Sequence, residues 1–241
     1  LTGGSTGSSL ALVCAVKGYP LKIVTSDAFA EEKLKTMHAF GAELIIEPSE
    51  GAQITPDLIP RMIARAEAIE RDEGAYRTDQ FHNTDALTGY RAIAEELAGQ
   101  VDGTIDAFIG GVGTAGMIVG VARGLRERYP GVRVIGLEPA SAPLLSAGTP
   151  GAHHIEGVGV GIVPPLLEEG DLDGVWPIDE TEARETARRM AREEGIFAGT
   201  SSGMNATAAL RLARELGPGH TVVTVAVDTG LKYLAGDLYA E

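Results

Sequence analysis

The densest chemistry in the chain lies at Gly110-Gly111-Val112-Gly113-Thr114-Ala115-Gly116, between an apolar run, Ile105 to Ile109, and a helical pattern, Gly116 to Arg128. Strand, glycine turn and helix in that order aim free backbone N–H groups and a positive dipole end at one spot. That is a site for an anion, most often phosphate. Gly113 and Gly116 let the backbone come close to the anion, and Thr114 adds a hydroxyl donor. A tight structural turn is the plainer reading, but the strand-to-helix setting favours anion binding. The same stretch satisfies a dinucleotide fingerprint. Gly111, Gly113 and Gly116 have the GxGxxG spacing, and Glu138 ends the next strand about where a ribose-binding acid would sit. A nicotinamide-dinucleotide-dependent oxidoreductase is therefore an alternative function.

Two further loops join glycines to small hydroxyl residues at a helix start: Thr2 to Gly7, and Gly199-Thr200-Ser201-Ser202-Gly203. Either alone reads as an ordinary N-cap. Three such loops in one chain suggest a ligand held by several helix N-termini. Phosphate suits one and a carboxylate a second, since both prefer positive dipole ends. Ser201 or Ser202 would meet a neutral heteroatom at the third.

Other candidates are bland. His38, His82, His153, His154 and His220 show no metal-ligand spacing, so no metal site is expected. Cys14 lies in an apolar helix and reads as a buried, inert thiol. As the single cysteine it excludes an intrachain disulfide framework, which fits a reducing cytoplasm. The net charge of −14 argues against nucleic acid or an anionic membrane as partner. No apolar run approaches the roughly 20 residues that span a bilayer. The charged run Arg184 to Glu194 reads as a solvated helix face.

Helices and strands alternate along the 241 residues. The patterns predict helices at Ser8–Val16, Glu31–Phe40, Pro56–Arg71, Thr84–Leu97, Gly116–Arg128, Glu182–Glu194 and from Gly199 to Leu216. They predict strands at Leu21–Val24, Glu43–Ile46, Ile105–Ile109, Val132–Leu137 and Val222–Ala226. Such alternation means α/β architecture: mostly parallel sheets with helices on both faces. A break near Gln80 to Thr84 divides two lobes, 1–83 and 84–241.

Taken together and in order, the loops resemble those of the cysteine synthase (O-acetylserine sulfhydrylase) and cystathionine β-synthase family of pyridoxal-phosphate enzymes. TGGSTG is similar to the family's TSGNTG loop, which holds the substrate carboxylate. Gln80-Phe81-His82-Asn83 resembles its QF-N segment, and GGVGTAG its phosphate loop. The stretch His154 to Gly161 resembles HKIQGIGAG, which lies beside the active site, and GTSSG resembles GISSG. Asp228-Thr229-Gly230 with Lys232-Tyr233-Leu234 resembles DSGERYL.

The resemblance implies a two-lobed fold-type II enzyme with pyridoxal 5'-phosphate as cofactor. Ser5, Gly111, Val112, Gly113, Thr114, Ala115, Gly116 and Ser201 would bind the cofactor, with Ser201 at the pyridine nitrogen. Thr2, Gly3, Gly4, Thr6, Gln80 and Gly157 would bind substrate. It further implies β-replacement on an O-activated serine, with sulfide or another nucleophile, in a homodimer.

Three departures stand out. Ser5 replaces the family's Asn, and Met117 replaces a Thr that commonly holds phosphate. The family's Schiff-base lysine lies upstream of the TSGNTG-like loop, where this chain has only Leu1. Lys17, Lys22, Lys33, Lys35 and Lys232 each read as a solvated surface charge. The expectation is a chain lacking its first segment and, as it stands, inactive. A homologue that binds the cofactor without catalysis is the other alternative.

Overall fold

In the computed structural model, which describes residues 1–51, 53, 55 and 57–240, the expected alternation is present. The chain runs α1 (Ser5–Lys17), β1 (Lys22–Ser26), α2 (Glu31–Ala39), β2 (Glu43–Glu47), α3 (Leu58–Glu73), α4 (Asp85–Gln100) and β3 (Ala107–Gly111). It continues through α5 (Gly116–Arg128), β4 (Arg133–Pro139), α6 (Leu144–Ala147), β5 (Gly174–Ile178), α7 (Glu180–Glu194), α8 (Thr200–Leu216) and β6 (Val222–Val223). A short 3-10 helix, Gly230–Tyr233, closes it. Pro56, the expected start of α3, lies outside the described residues.

β1 and β2 pair in parallel, Lys22 opposite Glu43 and Ser26 opposite Glu47. The other four strands form a second sheet in the order β5-β4-β3-β6, parallel throughout. Period-two alternation splits the core of this larger sheet between its faces. Phe108 packs on one face with Ile118, Val121 and Leu125. Ala107 and Ile109 turn to the other, against Ile135, Met204 and Leu212. In the smaller sheet Val24 packs with Phe29, Leu58 and Met62, and Ile23 with Ala11 and Met37. Each fully buried Val, Leu, Ile, Phe or Met side chain among them contributes roughly 1.5–3 kcal/mol.

Local chemistry sets the ends of the elements. Gly18 takes φ 71° past α1, a left-handed stop that glycine adopts without strain. Asp179, with Thr181 one of two N-cap candidates in the sequence, accepts a 3.1 Å bond from the Glu182 N–H, and α7 begins at Glu180, two residues before the expected Glu182. β5 went unseen because Pro177 interrupts it. An edge strand tolerates a proline, and β5 is an edge. The expected strand Val222–Ala226 pairs only over Val222–Val223. Beyond it, side chains make the links: Thr224 Oγ1 donates to Ile109 O at 2.7 Å, and Asn205 Nδ2 donates to Val225 O at 2.9 Å. Cys14 is half-buried rather than buried, because α1 leaves Leu12, Val13 and Val16 exposed. Among the described residues no helix is long and apolar enough to cross a membrane, and no cluster of His, Cys, Asp or Glu is set to hold a metal.

α7 and α8 meet through Gly203, where a Cβ would run into Ala183 O and lie 2.8 Å from Ala187 N. Both obstacles are helix backbone and cannot rotate away. Gly203→Ala is expected to cost about 3 kcal/mol by overpacking. That lowers the melting temperature by about 6–12 °C in a domain of this size. A calorimetric melt within two degrees of wild type would show that the helices are not so closely seated.

Candidate active site

Three helix N-termini are tied into one connected set of contacts. At the first, the Thr2 hydroxyl accepts from the N–H groups of Gly4 (3.2 Å) and Gly7 (3.3 Å), and Thr2 N–H reaches Val24 O at 3.0 Å. Thr2 therefore shapes the loop around its own buried hydroxyl. Thr6 Oγ1 donates to Gln80 Oε1 at 3.0 Å, and Gln80 Nε2 donates to Leu1 O at 2.7 Å. Residues 74 positions apart in sequence are thus brought together. Ser5 opens α1 on an exposed position, and a Cβ on Gly3 would enter the Phe29 ring.

The second N-terminus is the turn from β3 into α5. Gly111 N–H is held by Asn205 Oδ1 at 2.9 Å, and Val112 N–H by Leu137 O at 2.9 Å. Ala115 is left-handed at φ 68°, an uncommon state for a residue with a Cβ, and it bends the chain into Gly116. Among the described residues no protein acceptor takes the N–H groups of Gly113, Thr114 or Ala115. They precede the free first turn of α5, so the loop is a cradle for an anion. Met117 adds no donor; its methyl packs beneath Gly110.

Over this cradle lies the loop at residues 153–161. Gly159 N–H donates to Val112 O at 3.0 Å, and Gly157 O occupies the space that a Cβ on Gly113 would need. The organising histidine is His153, buried and adjacent to the His154 singled out in the sequence. Its Nδ1 accepts from Ile155 N–H at 3.2 Å, so the proton sits on Nε2, which donates to Gly159 O at 2.9 Å. His154 is exposed, 3.4 Å from Glu180.

At the third N-terminus, Ser201 and Ser202 are both buried in the first turn of α8. Ser202 Oγ accepts from Val227 N–H at 2.9 Å, whereas Ser201 Oγ has no protein partner among the described residues. Asn205 lies one turn further along the same face, fully buried, with Oδ1 on β3 and Nδ2 on the segment after β6. It locks the third site to the second, and sequence reasoning missed it. The signal was an amide four residues after Ser201, on a helix face otherwise destined for the core.

Lys33 is a correction. It is 3% exposed rather than solvated. Its Nζ donates to Glu156 Oε2 at 2.7 Å and to the Tyr233 hydroxyl at 3.1 Å, and it lies 3.9 Å from Asp228 Oδ2. Tyr233 in turn donates to Asp228 Oδ2 at 2.8 Å. Burial, then the charges of Asp228 and Glu156, push the Tyr233 phenol far above its usual range, so it stays protonated. Lys17, Lys22 and Lys35 are exposed and Lys232 is half-exposed.

Sequence comparison now adds the decisive observation: residues 1–228 match the family described as pyridoxal-phosphate dependent enzyme. The chain belongs to that family. A cysteine synthase of Staphylococcus aureus is 38% identical over 241 residues, covering 99% of this chain and 76% of the relative. The solved O-acetylserine dependent cystathionine beta-synthase from Helicobacter pylori is similar at TM-score 0.88 and 36% identity, over 99% of this chain and 76% of that one. O-ureido-L-serine synthase with O-ureido-L-serine bound is similar at TM-score 0.90 and 35% identity, over 99% and 73% of the two chains. Within the pyridoxal-phosphate dependent family this chain is thus cysteine-synthase-like, a branch whose reaction class is β-elimination and β-replacement. The residues present fit the family's cofactor at two points. The free N–H groups at Gly113–Ala115 suit its phosphate, and the unpartnered Ser201 hydroxyl suits a neutral ring nitrogen.

Proposed function

We propose that this chain binds pyridoxal 5'-phosphate and belongs to an enzyme that replaces the β-substituent of an O-activated serine, making cysteine from O-acetylserine and sulfide. The observation that carries the reading is the run of acceptor-free N–H groups at Gly113–Ala115, in the turn after β3, whose last residue Gly111 is pinned through Asn205 to the helix of Ser201. In this reading Gly111 to Gly116 hold the phosphate, Ser201 faces the ring nitrogen and Ser5 the ring oxygen. Thr2, Gly3, Gly4, Thr6, Gln80 and Gly157 surround the substrate. Residues 1–83 and 84–241 are the two lobes between which the ligands lie, and the assembly is a homodimer.

When bound, the cofactor supplies the electron sink for a carbanion at Cα. The protein's part is to bind and orient. The α1 N-terminus offers fixed dipoles to the amino-acid carboxylate, and Gln80, braced between Leu1 and Thr6, sits beside them. A serine at the ring nitrogen donates one hydrogen bond without holding a full positive charge there, which suits elimination and replacement at Cβ.

The oxidoreductase alternative fails on Glu138. That carboxylate is 1% exposed and accepts from Leu145 N–H (2.7 Å) and Ser146 N–H (2.9 Å), so it is committed to the start of α6. Buried beneath the start of α6, it is closed off from a ribose hydroxyl.

Parallel calorimetric titrations with pyridoxal phosphate and with a nicotinamide dinucleotide test the cofactor. Binding of the dinucleotide alone overturns the proposal. Ser201→Ala is expected to weaken pyridoxal-phosphate binding by about 1–3 kcal/mol, the usual loss for a buried hydrogen bond. Ser201→Asp is expected to shift the bound cofactor's absorbance, because a carboxylate favours a protonated ring. Wild-type affinity and spectrum in both variants would remove Ser201 from the ring.

A further inference from the structure

We propose that Lys33 is a positioning residue: a buried cation on α2 that fixes the loop Thr2–Gly7 against the elements carrying Glu156, Asp228 and Tyr233. The role of that loop as the substrate-carboxylate site rests on the function proposed above; its clamping by Lys33 does not.

The geometry is specific. A Cβ on Gly4 would lie 2.6 Å from Lys33 Cδ and 3.2 Å from its Nζ, so the lysine stem forms the floor under Gly4. The ammonium faces Glu156 on the loop over the phosphate cradle, Asp228, and Tyr233 on the 3-10 helix. It also lies 4.8 Å from the Tyr233 ring centroid. Tyr233 and Asp228 in turn stand against Gly199, at the start of the helix bearing Ser201: a Cβ there would be 2.6 Å from Tyr233 Cζ and 2.7 Å from Asp228 Oδ1. One side chain therefore connects the floor of the first N-terminus to the entry of the third and the lid of the second.

Charge explains why the clamp is firm. The Asp228 side chain is 3% exposed and that of Glu156 is 17% exposed. Asp228 Oδ1 is buried with no partner among the described residues. Two nearly buried carboxylates share one ammonium. Withdrawing it leaves uncompensated buried charge, which is strongly destabilising. Lys33 is held by both, and the loop resting on its stem is held with it. A neutral side chain of equal length would fill the space without anchoring it.

The test uses Lys33→Met, which keeps the stem and removes the charge, and Glu156→Gln, which loosens the shortest contact. Hydrogen exchange is measured on the unliganded proteins. Calorimetry follows, first with pyridoxal phosphate, then with L-serine on the cofactor-saturated protein. Exchange across residues 2–8 is expected to rise about tenfold in Lys33→Met, and the L-serine Kd about tenfold, as for one charge-assisted contact. Pyridoxal-phosphate affinity should change less than about threefold. Glu156→Gln should shift the same quantities in the same direction by less, and it decides the matter if Lys33→Met does not fold. Unchanged exchange at residues 2–8, or equal weakening of cofactor and L-serine, overturns the positioning role. If the wild-type chain binds no pyridoxal phosphate, the proposed function fails, and the exchange measurement alone decides the role of Lys33.

Discussion

Gly113→Ala is expected to weaken pyridoxal-phosphate binding about 100-fold or more while the fold survives. The added Cβ would enter the space of Gly157 O. Neither partner can step aside cheaply. Gly157 lies on a loop pinned by the Gly159 N–H bond to Val112 O and by the two bonds of the His153 ring. Gly113 lies between Val112, bonded to Leu137 O, and left-handed Ala115. Overpacking of this kind costs about 1–3 kcal/mol, and the upper end corresponds to about a 100-fold loss of affinity. The displaced atoms are the N–H donors themselves, so the strain falls on the anion site. The control is Gly131→Ala. A Cβ there meets nothing within 4 Å, and stability should stay within about 0.5 kcal/mol. Isothermal titration of both variants is the check. Equal affinities would mean that the 153–161 loop yields freely and that the cradle is not rigid.

What the sequence made legible and what it hid divide along physical lines. The glycine loops were legible because each interrupts a regular period at the point where a strand hands over to a helix. The GTSSG turn and the buried first turn of α8 coincide for that reason. Lys33 was hidden. It shares its helix with Glu31, Glu32 and Lys35, a local pattern that reads as a solvated face. What buries it lies 123 and 200 residues away, at Glu156 and Tyr233. His153 and His154 are neighbours of identical type, and only the path of the loop decides which ring turns inward. β5 was masked by Pro177, which sequence pattern treats as a break and a sheet edge does not. Properties set by contacts along the chain could be read; those set by distant contacts needed the fold.

The 241-residue chain, incubated with pyridoxal phosphate and reduced with borohydride, is expected to yield no single stoichiometric phosphopyridoxyl lysine and no turnover of O-acetylserine. A Schiff-base lysine must be an unprotonated amine aimed at the aldehyde carbon, and proximity supplies much of its rate. Lys17, Lys22 and Lys35 are exposed, and Lys22 and Lys35 are paired with Glu73 and Glu31. Their neighbours raise the basicity of both, which keeps them protonated. Lys33 lies directly beneath Gly4 of the first glycine loop. Its Nζ is committed to Glu156 Oε2 at 2.7 Å and to the Tyr233 hydroxyl at 3.1 Å, so it is not aimed at an aldehyde carbon. Lys232 lies half-exposed on the 3-10 helix. Peptide mass spectrometry after reduction reads the outcome site by site. Scattered substoichiometric labelling is expected, since exposed amines capture free aldehyde. One full adduct on any of the five, accompanied by activity, would overturn the reading. On Lys33 in particular it would recast the clamp as the catalytic base, and Glu156 and Asp228 would then become the groups that manage its proton.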